Sequence, residues 1–316
     1  MKAEAAAHIA VELTAVVVAV TADQPRVLTL RAEGGADALP SGPFQPGHRT
    51  LEQGLRAWVE QQTGQSLGYV EQLYTFGDRD RRVSGGEGAR VLSIGYLALV
   101  REPRSARSSE SSWQDWYRYF PWEDWRKGPP QALGAIEAGL TAWVAAAATD
   151  AERRARGERV AVTFGLAGGA WSEERALERY ELLYEAGLVQ EAARDRGEPA
   201  PAVGAGLAMA GDHRRIVATA IARLRGKIKY RPVVFELMPP AFTLLQLQRA
   251  VETLAGMPVH KPNFRRLVEQ QGLVEETGAV TLDTGGRPAR LVRFRREVLR
   301  ERAAAGVRVR GRTRSV

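Results

Sequence analysis

Apolar residues in the first hundred positions recur with the spacing of β-strands. Residues 9–20 and 26–31 are rich in β-branched side chains, and the short Thr-Ala-Asp-Gln-Pro turn between them predicts a hairpin. Residues 69–76 and 91–100 predict two more strands, the second apolar enough to lie inside a sheet, with a polar loop at 77–90 between them. The chain therefore begins with a sheet.

Helical spacing appears between and after these strands. Leu51, Leu55, Trp58 and Val59 share one face of a helix predicted over residues 51–63, with Gly64 as its C-terminal stop. Alanine-rich segments predict one long helix at 131–155 and another at 173–193. Strands combined with helices in this way predict an α/β (α+β) fold.

The last hundred residues have a different pattern, of shorter helices. A helix capped by Asp212 is predicted to run to about residue 227, and Thr243 caps a second helix that Gly256 ends. A three-residue turn separates this second helix from a third over residues 260–272. Two apolar pairs, 273–274 and 291–292, then flank an Asp-Thr-Gly-Gly sequence, which predicts a second hairpin.

Charge divides the chain at Asp212. The net charge of +8 combines 22 basic and 9 acidic residues from Asp212 onward with 23 basic and 28 acidic residues before it, or +13 against −5. Such asymmetry is typical of a polyanion-binding module attached to a domain with another role, although a basic half can also serve solubility. The chain has no cysteine and four scattered histidines, so neither disulfides nor a metal site is expected. We expect a cytoplasmic protein without a membrane span.

The C-terminal pattern matches a winged helix-turn-helix that binds double-stranded DNA. Phe264, Leu267 and Val268 would form the inner face of the third helix, leaving basic and amide side chains to contact base edges in the major groove. Arginines of the hairpin, the wing, would lie against phosphates. The predicted DNA-binding residues are Thr243, Gln246, Lys261, Asn263, Arg265, Arg266, Arg287 and Arg290. The alternative is a helical bundle with a solvated charged face.

Composition suggests further boundaries. Residues 103–112 are polar and precede an aromatic segment, WQDWYRYFPWEDWRKGPP, that holds four of the seven tryptophans. This density is typical of a core or a subunit interface, and the alternative is a base-stacking platform. The expected domains are 1–200, with a helical extension from about 131, and 212–300, joined by a Gly/Pro/Ala linker at 201–211. The arginine-rich tail at 301–316 is predicted to be disordered and to add non-specific phosphate affinity.

Several segments resemble the Nudix-related transcriptional regulators of NAD metabolism. LPSGPFQPGHRTLEQGLRAWVEQQTG resembles a degenerate Nudix box, and YVEQLYTFGDRDR resembles the strand and loop that follow it. KYRPVVFELMPPAFTLLQLQRAVETLAG, HKPNFRRLVEQQGLVEETG and GGRPARLVRF resemble the DNA-binding domain and its wing. The resemblance covers most of the chain and implies an N-terminal Nudix-like α/β/α sandwich with a C-terminal winged helix-turn-helix.

The Nudix-like box departs from that of the hydrolases. Where the motif has Arg-Glu-x-x-Glu-Glu before Thr-Gly, this chain has Ala57, Trp58, Val59, Glu60, Gln61 and Gln62. Magnesium needs clustered charged oxygen ligands, so loss of these carboxylates predicts no hydrolysis. An unconventional site at Glu52 and Glu60 is the alternative.

The resemblance implies that an inactive Nudix-like domain senses a nucleotide. We expect no required cofactor, and an effector such as ADP-ribose, NAD or ATP. Candidate effector-binding residues are Arg49 and Arg56 for phosphate charge, Tyr74 and Phe76 for stacking or lining, and Asp78 for a hydroxyl. Each of these residues could instead be a core residue or a surface ion pair.

The resulting hypothesis is a homodimeric repressor of genes for NAD biosynthesis or salvage, bound to a palindromic operator. The direction of the effector's action is left open, with relief of repression favoured by the resemblance. One alternative is an active Nudix pyrophosphatase acting on ADP-ribose or a related nucleotide. Another is a general nucleic-acid or RNA adaptor, which would bind operator and scrambled duplex equally.

Overall fold

The computed structural model describes residues 9–77, 90–101, 111–166, 168–201, 205–282 and 288–301. The chain divides into two compact units, the first comprising Met1–Ala19, Arg26–Gln114 and Met209–Ala220 and the second comprising Val20–Pro25, Asp115–Ala208 and Ile221–Val316. The boundaries of these units differ from the domain limits expected from composition. Those domain limits remain a prediction. The predicted loop at 77–90, the segment 103–112, the Asp-Thr-Gly-Gly turn and the basic tail lie wholly or largely outside the described residues.

A mixed sheet forms the centre of the first unit. Its described strands are β1 (Ile9–Thr21), β2 (Gln24–Arg31), β3 (Asp37–Ala38), β4 (Ser41–Pro43), β5 (Tyr69–Phe76), β6 (Arg90–Leu99) and β7 (Ser111–Asp115). Their order is β3-β2-β1-β6-β5, with β4 paired to β1 and β7 paired to β2. Strands β1 and β6 are parallel, from Ile9 opposite Arg90 to Val18 opposite Leu99. The strands predicted from the sequence, including the β1–β2 hairpin, are confirmed.

Helices cover both faces of this sheet. Helix α1 (Leu51–Thr63) packs Leu55 and Val59 onto one face, in a core cluster that includes Tyr96 and Ala98 of β6. Gly95 points to the opposite face because side chains alternate along a strand, and a Cβ there would lie 3.3 Å from Ile216 of helix α6 (His213–Tyr230). The sandwich implied by the resemblance is therefore present. Gly64 ends α1 in the left-handed region with φ 69°, as predicted, and the structure adds Thr50 as its N-terminal cap.

The second unit contains more helices than the sequence predicted. The described helices before α6 are α2 (Leu133–Ala145), α3 (Asp150–Phe164), α4 (Ala176–Glu185) and α5 (Gln190–Arg196). The single helices predicted at 131–155 and 173–193 are wrong, because each is two helices. The Thr149 side chain accepts from Glu152 N and starts α3, and Gly187, with φ 73°, lies between α4 and α5.

The predicted linker is not a solvated one over its described residues. Ala205 and Met209 are buried, Leu207 N donates to Arg118 O at 2.9 Å, and Ala210 N donates to Asp37 O at 2.9 Å. The small residues of this stretch, which composition alone presents as a linker, allow close approach to other backbone. Residues 205–211 are therefore held in place within the two units.

The C-terminal part of the second unit has the winged-helix arrangement. Helix α7 (Leu244–Ala255), helix α8 (Lys261–Gln270), strand β8 (Val274–Thr281), strand β9 (Ala289–Phe294) and the short helix α9 (Val298–Glu301) follow α6. Strands β8 and β9 are antiparallel and form the predicted wing, and Phe242 pairs with Val292 by two backbone hydrogen bonds. Phe235 stacks on Phe294 with ring centroids 4.3 Å apart. Helix α6 ends at Tyr230, three residues beyond the predicted end.

The aromatic segment is core. Trp116, Tyr119, Phe120 and Trp122 are 0% exposed, so none of them is a base-stacking platform. Edge-to-face contacts join Trp116 to Tyr117 and Phe120 to Trp122, with ring centroids 5.9 and 5.8 Å apart. The core interpretation is therefore confirmed for these residues.

The aromatic segment also contains a buried carboxylate, that of Glu123. Glu123 accepts from Arg179 Nε at 2.5 Å and Arg179 Nη2 at 2.9 Å, and it also accepts from Arg225 Nη1. Trp171 packs against the guanidinium of Arg179, whose centre lies 3.8 Å from the ring centroid. Burial alone would raise the pKa of Glu123, but Arg179 and Arg225 outweigh it and hold the pKa below its ordinary value. Glu123 is therefore ionised and joins the aromatic segment to α4 and α6.

Glu123→Gln should destabilise the second unit. The change leaves two buried guanidinium groups without their counter-charge, which costs about 3–5 kcal/mol of unfolding free energy. Urea denaturation followed by tryptophan fluorescence measures this, with Glu198→Gln on the surface as the control. A loss no larger than that of the control would contradict the assignment.

The Glu123 carboxylate should also make the unfolding free energy depend on pH in the acid range. Because the folded-state pKa of Glu123 is depressed, its contribution is fully present above about pH 4.3, the ordinary glutamate value, and is lost as the pH falls further. Unfolding free energy measured against pH should fall less steeply below that point in Glu123→Gln than in the unaltered chain.

Candidate nucleic-acid interface and effector region

The turn between α7 and α8 is closed by a glutamate. Gly256 ends α7 in the left-handed region with φ 72°. Glu252 Oε1 accepts from Val259 N at 3.0 Å and from Gln248 Nε2 at 3.0 Å. These contacts fix the path of the chain from the first helix to the second, a role of Glu252 that the sequence pattern did not reveal.

Helix α8 presents basic and amide side chains to solvent. Phe264 and Val268 are buried, whereas the predicted residues Lys261, Asn263, Arg265 and Arg266 are all exposed. Among the described residues, no acidic side chain forms an ion pair with the three cations. Their charge is therefore available to DNA, and Asn and Arg at such positions can make bidentate contacts to base edges.

Two of the predicted DNA contacts have a structural role at the start of α7. The Thr243 hydroxyl is buried and accepts from Gln246 N at 3.1 Å, while Gln246 Oε1 accepts from Thr243 N at 2.7 Å. This reciprocal pair is a capping box at the start of α7. The predicted contacts of both residues with DNA remain predictions, and of the two side chains only that of Gln246 is exposed.

The wing arginines are paired with glutamates. Arg290 Nη1 donates to Glu276 at 2.7 Å, and Arg293 Nε donates to Glu275 at 2.6 Å, both across the β8–β9 pair. The pairs are exposed, with 77% of the Arg290 side chain accessible. The sequence pattern did not reveal these pairs, because they depend on the register of the hairpin. Arg287, the other predicted wing contact, lies outside the described residues.

Of the two predicted phosphate-binding arginines, one is exposed and the other already donates hydrogen bonds to protein groups. Arg49 is exposed just before α1. Arg56 donates to Glu52 at 2.8–2.9 Å and to the carbonyls of Leu67 and Gly68 at 2.6 and 3.0 Å. Arg56 therefore holds α1 to the chain that leads into β5, and a phosphate would have to displace these acceptors.

The predicted residues of β5 differ in exposure. Tyr74 is 54% exposed, whereas Phe76 is 7% exposed and lies against Gly95 on the sheet face covered by Ile216. Phe76 is therefore a core residue, and its predicted role in stacking or lining remains a prediction. Asp78 lies outside the described residues.

A cluster of three rings that includes His48, the residue before Arg49, was missed by the sequence pattern. His48 lies between Phe44 and Trp58, with ring centroids 5.9 and 6.3 Å away. Gly42 lies directly against the Trp58 indole, since a Cβ there would be 2.3 Å from it. Phe44 is 37% exposed, so this cluster offers a partly exposed aromatic surface.

The Nudix-like positions of α1 are occupied by hydrogen-bond donors and exposed side chains. Trp58 Nε1 donates to Pro43 O at 2.9 Å, and Gln62 Nε2 donates to Ser41 O at 2.8 Å. Ala57 and Gln61 are exposed. Over the part of the chain that is described, no three acidic or histidine side chains form a group that could bind a metal ion.

No described helix has both the length and the apolar content needed to cross a bilayer.

The fold defines the class: a Nudix-like sandwich in a chain that ends in a winged helix-turn-helix. Residues 234–294 match the family model described as the NrtR DNA-binding winged helix domain. A curated relative, the ADPR responsive transcriptional repressor NtrR of Acinetobacter baylyi, is 42% identical over 88 residues, 28% of this chain and 35% of the relative. The alignment with this relative therefore spans about a third of its length.

Solved structures share the fold over nearly the whole chain. Shewanella oneidensis NrtR, crystallised with a 27mer DNA, has a TM-score of 0.56 and 19% identity over 95% of this chain and 99% of its own. A MutT/nudix family protein from Enterococcus faecalis has a TM-score of 0.53 and 16% identity over 93% and 90% of the two chains. At these identities the likeness concerns the fold. In its architecture the chain is therefore similar to Nudix-related transcriptional regulators.

Glu276→Gln should strengthen DNA binding without regard to sequence. Loss of the carboxylate frees Arg290 for a phosphate, and an exposed pair is worth about 0.2–1 kcal/mol, so affinity should rise by up to about fivefold. One more phosphate contact should also steepen the slope of log affinity against log salt by about 0.9. Fluorescence anisotropy on a specific and a scrambled duplex measures both quantities. Glu158→Gln on α3 is the charge-matched control, and an unchanged salt slope would show that Arg290 does not contact phosphate.

Proposed function

We propose that this chain is a DNA-binding transcriptional repressor of genes for NAD biosynthesis or salvage. In this proposal its Nudix-like domain is catalytically inactive and senses an adenine nucleotide, with ADP-ribose as the first candidate. The observation that carries the proposal is the exposed basic and amide surface of α8 within the segment that matches the winged-helix model. The ADP-ribose response of the curated relative supports the choice of effector.

DNA recognition in this proposal divides between α8 and the wing. Asn263, Arg265 and Arg266 contact base edges in the major groove, and Lys261 contacts either a base or a phosphate near the start of the helix. The predicted Arg287 contacts phosphates and positions the domain, and Arg290 adds a phosphate contact only where it leaves Glu276. The partner is a palindromic operator bound by a homodimer, because two half-sites increase both affinity and specificity.

The effector would bind beside α1. Arg49 supplies phosphate charge, and the neighbouring rings of Phe44 and His48, with Tyr74 on β5, are candidates for contact with the adenine. Asp78 is kept as a candidate for a ribose hydroxyl. Arg56 and Phe76 remain weaker candidates because their side chains already have partners or are in the core.

Catalysis is not expected from this domain. Trp58 and Gln62 stand where the hydrolase motif has glutamates, and both donate to β4 carbonyls rather than offering charged oxygens. Of the remaining carboxylates, Glu52 is paired with Arg56 and Glu60 is on the exposed side of the helix. A magnesium ion that activates pyrophosphate needs several such oxygens together, so loss of hydrolysis follows.

Regulation requires that the effector prefer one arrangement of the dimer over another. A preference of about 2 kcal/mol would change operator affinity about thirtyfold. We expect ADP-ribose to weaken operator binding, consistent with relief of repression.

The test is an anisotropy titration on the DNA upstream of the NAD-synthesis genes of the same genome, with a scrambled duplex as control. We expect at least tenfold tighter binding to the upstream DNA, and a loss of that preference when ADP-ribose, but not unrelated nucleotides, is added. NAD and ATP are compared in the same titration because either could be the effector. Equal affinity for both duplexes under every condition would reject the proposal in favour of a general nucleic-acid adaptor.

A second assay addresses the pyrophosphatase alternative. The protein is incubated with ADP-ribose and magnesium, and AMP release is followed by chromatography, with Trp58→Glu/Gln62→Glu as a comparison. We expect no release by the unaltered chain. Steady magnesium-dependent turnover would show that the domain is an active hydrolase.

A further inference from the structure

The C-terminal end of α7 is held by groups from distant parts of the second unit. Tyr117 Oη donates to Thr253 O at 2.7 Å, Arg225 Nε donates to Leu254 O at 2.9 Å, and Trp125 N donates to Gly256 O at 2.6 Å. The last four carbonyls of a helix normally lack intrahelical partners. Here the aromatic segment and α6 supply partners for the carbonyls that immediately precede the turn into α8.

At the C-terminal end of α7 the neighbouring groups lie so close that only glycine fits at position 256. A Cβ on Gly256 would lie 2.2 Å from Glu123 O, 2.8 Å from Arg225 Nη2 and 2.9 Å from Tyr117 Oη. Gly256 thus satisfies two needs at once, the left-handed C-cap with φ 72° and the approach of the aromatic segment. The end of α7 has almost no room to shift against these groups.

The guanidinium of Arg225, which holds the C-terminal end of α7, is itself held in place by hydrogen bonds. Arg225 Nη1 donates to Glu123 and to Glu173 O, the latter at 3.1 Å, and Arg179 holds the other side of the Glu123 carboxylate. A net positive charge beside a helix C-terminus is also favourable for the helix dipole. Burial raises the pKa of Tyr117 to about 12, so its hydroxyl remains a donor at any physiological pH.

The hairpin turn at Ala22–Asp23, which belongs to the same unit, contacts the same helix end. Thr253 Oγ1 donates to Asp23 O at 3.1 Å, and Arg126 Nη1 donates to that oxygen at 2.7 Å. Arg249 Nη1 lies 3.4 Å from the Asp23 carboxylate. Both turn residues have positive φ, 49° and 58°, as a two-residue hairpin loop between β1 and β2 requires.

We infer that Tyr117, Glu123 and Arg225 are positioning residues for DNA recognition, which act by fixing the end of α7 and therefore the angle at which α8 leaves it. None of the three lies in α8 or the wing: Tyr117 and Arg225 donate to backbone carbonyls of α7, and Glu123 acts through Arg225. Base readout depends on side-chain placement to within about half an ångström, whereas phosphate attraction does not. Loosening this end should therefore reduce sequence discrimination more than general DNA affinity. This inference rests on the proposed DNA-binding function.

The test is Tyr117→Phe, which removes only the hydroxyl. Tyr184→Phe is the control for loss of a tyrosine hydroxyl elsewhere in the same unit, because the Tyr184 hydroxyl donates at 2.8 Å to the Asp195 carboxylate in an exposed bond between α4 and α5. The unaltered chain first selects its binding sequence from a random duplex pool, and all three proteins are then titrated on that sequence and on a scrambled duplex well below their unfolding temperatures. We expect Tyr117→Phe to lower the specific-to-scrambled affinity ratio at least fivefold with scrambled affinity unchanged, and Tyr184→Phe to leave the ratio unchanged.

The outcomes separate this inference from the function on which it rests. If the unaltered chain selects no sequence, the proposed function fails. If it does select one and Tyr117→Phe retains the same affinity ratio while its unfolding temperature falls, the hydroxyl is only structural and the inference is wrong. Arg225→Lys, which keeps the charge but loses the forked geometry, provides an independent check, since the inference requires it to lower the ratio as well.

Discussion

The buried ion cluster of Glu123, Arg179 and Arg225 is the interaction on which the second unit depends most. All three side chains are fully buried, and together they join the aromatic segment, α4 and α6 to the end of α7. Replacing such a cluster with apolar groups can stabilise a protein, so its presence is better explained by the single arrangement it enforces. A guanidinium offers donors in a fixed plane, and each donor here meets a specific oxygen. The cluster thus specifies where α7 ends, which is also where the path to α8 begins.

Elements with local signals were predictable from the sequence. Helix α1 and helix α7 start and end where expected because Thr50, Gly64, Thr243 and Gly256 are caps whose contacts lie within a few residues. The exposed residues of α8 follow from helical spacing alone. The breaks within 131–155 and 173–193 were missed because alanine-rich sequence continues through them, and only the Thr149 cap and Gly187 mark the change.

The long-range contacts could not be predicted in this way. Glu123 is 56 residues from Arg179 and 102 residues from Arg225, and nothing in the spacing of a single sequence pairs them. The same limit applies to the candidate sites. The sequence identified Arg290 as a wing cation but not its partner Glu276, which depends on hairpin register. It suggested Arg56 as a phosphate ligand, although two backbone carbonyls already occupy that guanidinium.

Sequence recognition in the proposed function depends on α8 entering the major groove of a specific sequence. The absence of cysteine permits a direct measurement, since Gln270→Cys at the exposed C-terminal end of α8 can carry a single DNA-cleaving iron chelate. We predict cleavage confined to a few adjacent nucleotides within the selected sequence, in positions related by its symmetry, and none when the chelate is carried by Glu158→Cys on α3. Cleavage spread evenly along the duplex, or equal from both positions, would contradict the central claim that α8 reads the DNA.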